Sequence, residues 1–213
     1  MLRNITLALV ILAAVKFASA GTGAALQLPV MPYDSLMEDR VSVDGYIDTE
    51  DEEYPGSFTN KATGITVYWG FDDSNLYIGL ESKGKGWLAI GFGSDKMDEA
   101  NMVIGRFQDD STEVVNCVGA NHTHAAANVG DSLLEDWEID FDDETGALVM
   151  EFIYTLNWPG LKGTAVTGLC PGDTYDLLLA RNARTAALTE QHRQQTQLKF
   201  QLAPNPHRRS NDE

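Results

Sequence analysis

The sequence predicts an all-β domain, a sandwich or a barrel, on three observations. About nine short runs of strand-favouring residues recur at intervals of roughly eight to twelve residues, with turn formers between them. Nineteen glycines, eight phenylalanines, seven tyrosines and four tryptophans match a turn-rich β composition. No long segment carries a clean helical period.

The elements follow in order. Residues 21–39 read as a linker with little periodicity, and the domain is expected over residues 40–202. A short strand and turn over 41–45 open it. The acidic run 48–53 and the Tyr54-Pro55-Gly56-Ser57 segment then form a surface loop. Ile65–Phe71 and 76–82 pair as a hairpin across Asp72-Asp73-Ser74-Asn75. Strands over 87–92, 102–107, 113–118, 137–140 and 147–156 come next. Strands over 173–180 and 197–202 close the domain. The polar stretch 185–195 is a loop or a helical turn, and residues 203–213 are a flexible C-terminal tail.

Residues 1–20 carry the pattern of a signal peptide. Arg3 supplies the positive start, 5–15 the apolar run, and Ala18-Ser19-Ala20 the cleavage site. The chain is therefore expected to be secreted, extracellular or periplasmic. No later segment offers about eighteen apolar residues in a row, so the mature chain is expected to lack a transmembrane segment. Thirty-two acidic residues against fifteen basic ones give a net charge of −17. That balance argues against nucleic acid and anionic membrane surfaces as partners.

Export permits a disulfide. Two cysteines, Cys117 and Cys170, allow one intramolecular bridge, worth about 3–5 kcal/mol if unstrained; two buried thiols are the alternative. Asn121-His122-Thr123 is an N-glycosylation sequon on Asn121.

Several chemical signatures are absent, among them a phosphate loop, a Gly-x-Ser-x-Gly elbow and a cysteine pair at zinc spacing. Asp142-Asp143-Glu144 reads as a solvated turn rather than a catalytic dyad. His122 and His124 would project from one face of a strand and could share copper or zinc, but lack a third ligand nearby. Met97 is out of place between Lys96 and Asp98, in a loop that should be polar. It either packs against the core or uses its thioether.

The Gly-Trp-Leu-Ala-Ile-Gly-Phe block at 86–92, Met97 after it and Ala100-Asn-Met-Val-Ile-Gly105 resemble the DOMON domain family. Val43-Asp44-Gly45, Trp69-Gly70, 76–80, 169–175 and His192-Arg193 extend the resemblance to about residues 40–202. Around His192 the pattern departs, with Gln191 and Gln194-Gln195 where an aromatic and a glycine are usual.

The resemblance implies an immunoglobulin-like β-sandwich of about nine or more strands. It also implies binding of haem b or, in some branches, of a sugar or related small ligand. In haem-binding members the iron is held by a methionine after the Gly-Trp strand and a histidine near the domain's end, positions that Met97 and His192 match. Met/His ligation raises the reduction potential and suits electron transfer. An electron carrier without catalytic turnover of its own is thus expected, with no catalytic residues and a redox partner protein. Trp87, Phe92, Met102 and Trp69 are candidates to line the haem slot. The alternative is a haem-free carbohydrate or small-ligand module with Trp69, Trp87 and Trp137 as platforms. A copper-dependent oxidation through His122 and His124 is a third reading.

Overall fold

The computed structural model describes residues 28–108, 111–121, 123–126 and 133–207. The expected signal peptide, His122 and residues 208–213 lie outside the described residues. Among the described residues are twelve strands and one short helix. In chain order they are β1 (Val30–Met31), α1 (Met37–Arg40), β2 (Gly56–Asn60), β3 (Ile65–Phe71), β4 (Asn75–Lys83), β5 (Gly86–Phe92) and β6 (Asn101–Gln108). Then come β7 (Ser111–Ala120), β8 (Thr123–Ala126), β9 (Leu134–Asp142), β10 (Ala147–Thr155), β11 (Thr174–Asn182) and β12 (Gln194–Leu202).

Two sheets form the sandwich. One has seven strands in the order β1-β12-β11-β5-β6-β7-β8, the other five in the order β2-β3-β4-β10-β9. Apart from the parallel pair β1–β12, every pairing is antiparallel. The period of two explains the core. From β5, Leu88, Ile90 and Phe92 enter the space between the sheets with Trp69, Ile78, Phe152 and Phe200. Trp87 and Ala89 of the same strand lie in a separate apolar cluster on the opposite face. All seven residues of β5 are buried, so its sequence reads as a nearly continuous apolar run.

A polar bridge crosses the core. The Asn101 side chain donates to the Tyr154 hydroxyl at 2.8 Å, and Asn116 donates to Asn101 Oδ1 at 2.7 Å. This joins β6 and β7 of one sheet to β10 of the other, immediately after the loop that carries Met97.

The β-sandwich agrees with the sequence reading; several edges do not. Residues 41–45 form no strand, because their amides turn to buried carboxylates instead of a neighbouring strand. Ser42 N–H donates to Glu53 at 2.8 Å and Gly45 N–H to Glu151 at 3.0 Å. The linker expected over 21–39 is packed from residue 30 onward, since β1 pairs with β12 and Met31 and Met37 are fully buried. Gly56–Asn60, partly assigned to a surface loop, pairs with β3. The first part of the tail is also held, with Asn205 donating to Asp73 at 2.6 Å.

The Cys117–Cys170 bridge is not formed. Both are free thiols, Cys117 buried and Cys170 exposed. Cys117 sits on β7, whereas Cys170 lies just before β11, three strands away in the order β11-β5-β6-β7. Three inter-strand steps amount to about 14 Å, well past the reach of a disulfide.

Candidate functional site

The outer face of the seven-stranded sheet brings Met97, Trp87 and Met102 together. Its apolar cluster comprises Trp87, Ala89, Ala100, Met102, Ile104 and Cys117, with Met97, Val115, Leu178, Ala180 and Leu188 packed against it. Register explains the layout: Ala89 stands between Ala180 and Ile104, and Gly91 between Leu178 and Met102. Ala89, Gly91 and Ala180 have almost no side-chain height, so the middle of this face is a shallow floor. A methyl at Gly91 would sit 3.1 Å from Met102 Cγ, so only glycine keeps that floor without displacing its neighbour.

The Met97 loop, residues 93–100, is held rigidly over one end of that floor. Ser94 Oγ donates to the Asp98 carbonyl at 2.7 Å, and Ala100 N–H to the Met97 carbonyl at 3.2 Å. Glu99 adopts a left-handed conformation at φ 66°, its N–H donating to Gly119 and its carbonyl accepting from Ala165. The Met97 carbonyl lies where a Gly119 Cβ would be, so the approach of this loop to β7 requires a glycine at 119. Met97 itself is half-buried.

His192 lies at the other end. The β11–β12 loop leaves the sheet beside Trp87, which pairs with Asn182. Five strand steps separate Trp87 from Phe92, about 17 Å along β5, so the two loops reach the floor from opposite ends. Buried Asn182 donates to the Gln191 carbonyl at 2.9 Å, and Arg193 N–H donates to the Arg181 carbonyl at 3.0 Å. The backbone is thereby fixed on both sides of His192, whose side chain is exposed. Leu188 of this loop touches the same cluster as Met97. Asn182, Ser94 and Gly119 were not evident as positioning residues in the sequence, because each acts on backbone far along the chain.

Trp87 is 7% exposed, and its indole N–H is buried with no partner among the described residues. An orphaned buried donor is costly and marks a place where a ligand could supply the acceptor. Phe92 does not join this site. Five residues beyond Trp87, it points to the opposite face and is 1% exposed in the core. Trp69 is likewise core, and Trp137 packs at the edge of that core. The three tryptophans therefore share no surface.

The remaining expectations resolve locally. Asp142 accepts from Glu144 N–H and from the backbone and hydroxyl of Thr145, which together hold its carboxyl below the usual range as part of a turn. Asn121 is exposed at the β7–β8 turn with φ 51°. Among the described residues no group of three or more His, Cys, Asp or Glu could hold a metal, and no helix is long and apolar enough to cross a membrane. Two clefts of about 300 Å³ open elsewhere, one beside Asp44, Phe107 and Glu138, the other beside Arg40, Tyr54 and Tyr68.

The soft thioether, the apolar floor and the orphaned donor fit a planar apolar group with polar edges, as a b-type haem is.

No curated protein matches the chain. Among solved structures it is similar to the cytochrome b domain of pyranose dehydrogenase from Coprinopsis cinerea, at 13% identity and a TM-score of 0.54. That match covers 68% of this chain and 80% of the other. The cytochrome domain of Myriococcum thermophilum cellobiose dehydrogenase matches at 17% identity and a TM-score of 0.48, over 71% and 91%. A family 9 carbohydrate-binding module from Caldicellulosiruptor kristjanssonii, in complex with glucose, matches at 12% and 0.44, over 85% and 98%. The family model described as DOMON domain matches residues 61–154, which span β3 to β10 and include Trp87 and Met97. Over those residues the chain is similar to the DOMON domain family.

Proposed function

We propose that the outer face of the seven-stranded sheet binds a b-type haem between Met97 and His192, and that the protein carries electrons in an exported setting. One observation supports this most. Loops from opposite ends of β5 place Met97 and Leu188 against one apolar cluster with a floor of small side chains. The solved cytochrome b domain shares only the fold; the residues of this chain carry the reading.

Met97 and His192 would hold the iron. A haem ligated by thioether and imidazole exchanges single electrons at a raised potential. The chain's own residues do the remainder. Ala89, Gly91 and Ala180 leave room for a flat ring system, Met102, Ile104 and Leu178 exclude water, and Trp87 N–H offers a hydrogen bond to a polar edge. The redox partner would dock through a basic face, drawn by the net charge of −17.

The same orphaned indole donor favours a second reading, a haem-free module in which Trp87 binds a sugar hydroxyl or related small ligand. Adding haemin to the purified protein and recording oxidised and reduced spectra separates the two. Sharp reduced bands of a six-coordinate haem, altered in both Met97→Ala and His192→Ala, support the first. A protein that stays colourless, yet whose tryptophan fluorescence changes on adding an oligosaccharide, overturns it in favour of the second.

A further inference from the structure

The same face carries two further donors, Cys117 and His124, that neither reading uses. Cys117 of β7 is paired directly with Met102 of β6, which places their Cβ atoms about 5 Å apart on the same face. Two residues on, Gly119 is paired directly with His124 of β8, so His124 belongs to that face too. Gly119 has no side chain to separate these groups. Met102 Cε lies 3.3 Å from where its Cβ would be, and the Met97 carbonyl lies against the same point. Met97, Met102 and Cys117 already share one contact cluster. Two thioethers, a thiol and an imidazole therefore belong to one patch of this face around Gly119, where the Met97 loop closes on β7.

We propose that Met97, Met102, Cys117 and His124 form a binding site for one copper(I) ion. The donor set selects the metal: thioether and thiolate are soft ligands, imidazole suits copper, and no carboxylate is needed. The site differs from the His122–His124 pairing expected from sequence, because the register gives His124 the companions Gly119, Cys117 and Met102 instead. Burial, and after it the Glu113 carboxylate, pushes the Cys117 thiol up to about 11, so its sulfur is protonated near neutral pH until a metal binds. Capture forms a Cu–S bond, releases that proton to water and leaves the oxidation state of copper unchanged. The proposal does not rest on haem binding, although the two ligands would share Met97.

The test uses the haem-free purified protein, titrated anaerobically with copper(I) against bicinchoninate as a coloured competitor. One equivalent withdrawn from the competitor is expected, with sulfur scattering at the copper X-ray absorption edge. Cys117→Ser, His124→Gln and Met102→Leu should each weaken uptake at least roughly tenfold, the loss seen even for groups that only support a ligand. Cys170→Ser should leave it unchanged. Met102→Leu keeps the apolar volume and remains decisive if Cys117→Ser does not fold. No withdrawal of copper, or wild-type affinity in Met102→Leu, or loss confined to Cys170→Ser, would overturn the site. None of these outcomes depends on whether haem binds.

Discussion

On the five-stranded sheet the outer face is covered by the chain itself. Met37, Ile47 and Tyr54 from the N-terminal segment pack on Tyr77 and Val149. Fully buried Glu151 accepts from Gly45 N–H at 3.0 Å, Asp44 N–H at 3.4 Å and the Tyr54 hydroxyl at 2.8 Å. The outer face of the seven-stranded sheet is covered instead by two loops, with Met97 and Leu188 packed on an apolar cluster that is itself buried. It carries small side chains, a half-buried methionine and an indole donor with no partner among the described residues. The first face uses Glu151 to close the fold, with both of its oxygens satisfied, while Asn75 Oδ1 at the start of β4 is buried with no partner among the described residues. The second leaves a buried donor unanswered, the arrangement expected where an outside molecule completes the packing.

The sharpest way to break this contrast is at Glu151. Glu151→Ala strands two amides and a hydroxyl under the covering segment. It should lower unfolding stability by about 3 kcal/mol in urea titrations. A loss near zero would mean that the covered face is not a structural element.

Glu151→Gln sharpens the same point through pH. Burial pushes the Glu151 carboxyl up to about 7 from 4.5, against the opposing bond from Tyr54. The folded state therefore holds the proton more tightly than the unfolded chain. The contribution of this group is fully present below about pH 4.5 and is lost as pH rises through the folded value near 7, on the order of 3 kcal/mol in total. Glu53, buried and also raised, acts in the same direction. Glu151→Gln mimics the protonated form, so its stability should fall less between about pH 5 and pH 8 than that of the wild type. Parallel curves would remove Glu151 from the account.

Gly119→Ala tests the second face by pushing a methyl into the Met97 carbonyl. A cost of about 1–3 kcal/mol is expected, since the clash is with backbone. Haem uptake should weaken as the loop shifts. Met97→Leu should change stability least, by under about 1 kcal/mol, because the swap conserves volume at a half-buried site. Its effect should appear in the spectrum of bound haem and not in the melting curve.

Much of this fold was legible because the central strands are dense in apolar residues. Ile65–Phe71, Gly86–Phe92 and the 147–155 run announce themselves by apolar content. The edges were not. Gly56–Asn60 and Thr123–Ala126 are short polar strands stabilised by a neighbour, and 41–45 looks like a strand while its amides serve two carboxylates. The site was legible in part. Met97 stood out by composition, and Trp87 belongs to its face. Phe92 did not follow, because a motif read as a block hides that Trp87 and Phe92, five residues apart, face opposite ways. The separation of Cys117 from Cys170 depends on strand order, which sequence spacing does not reveal.

The most direct measurement is the reduced-minus-oxidised spectrum of haemin-loaded protein, compared among wild type, Met97→Ala and His192→Ala. The account predicts six-coordinate bands in the wild type and loss of one axial ligand in each variant, with Glu151→Gln unchanged. Wild-type bands in both Met97→Ala and His192→Ala, or no haem uptake by any form, would contradict it.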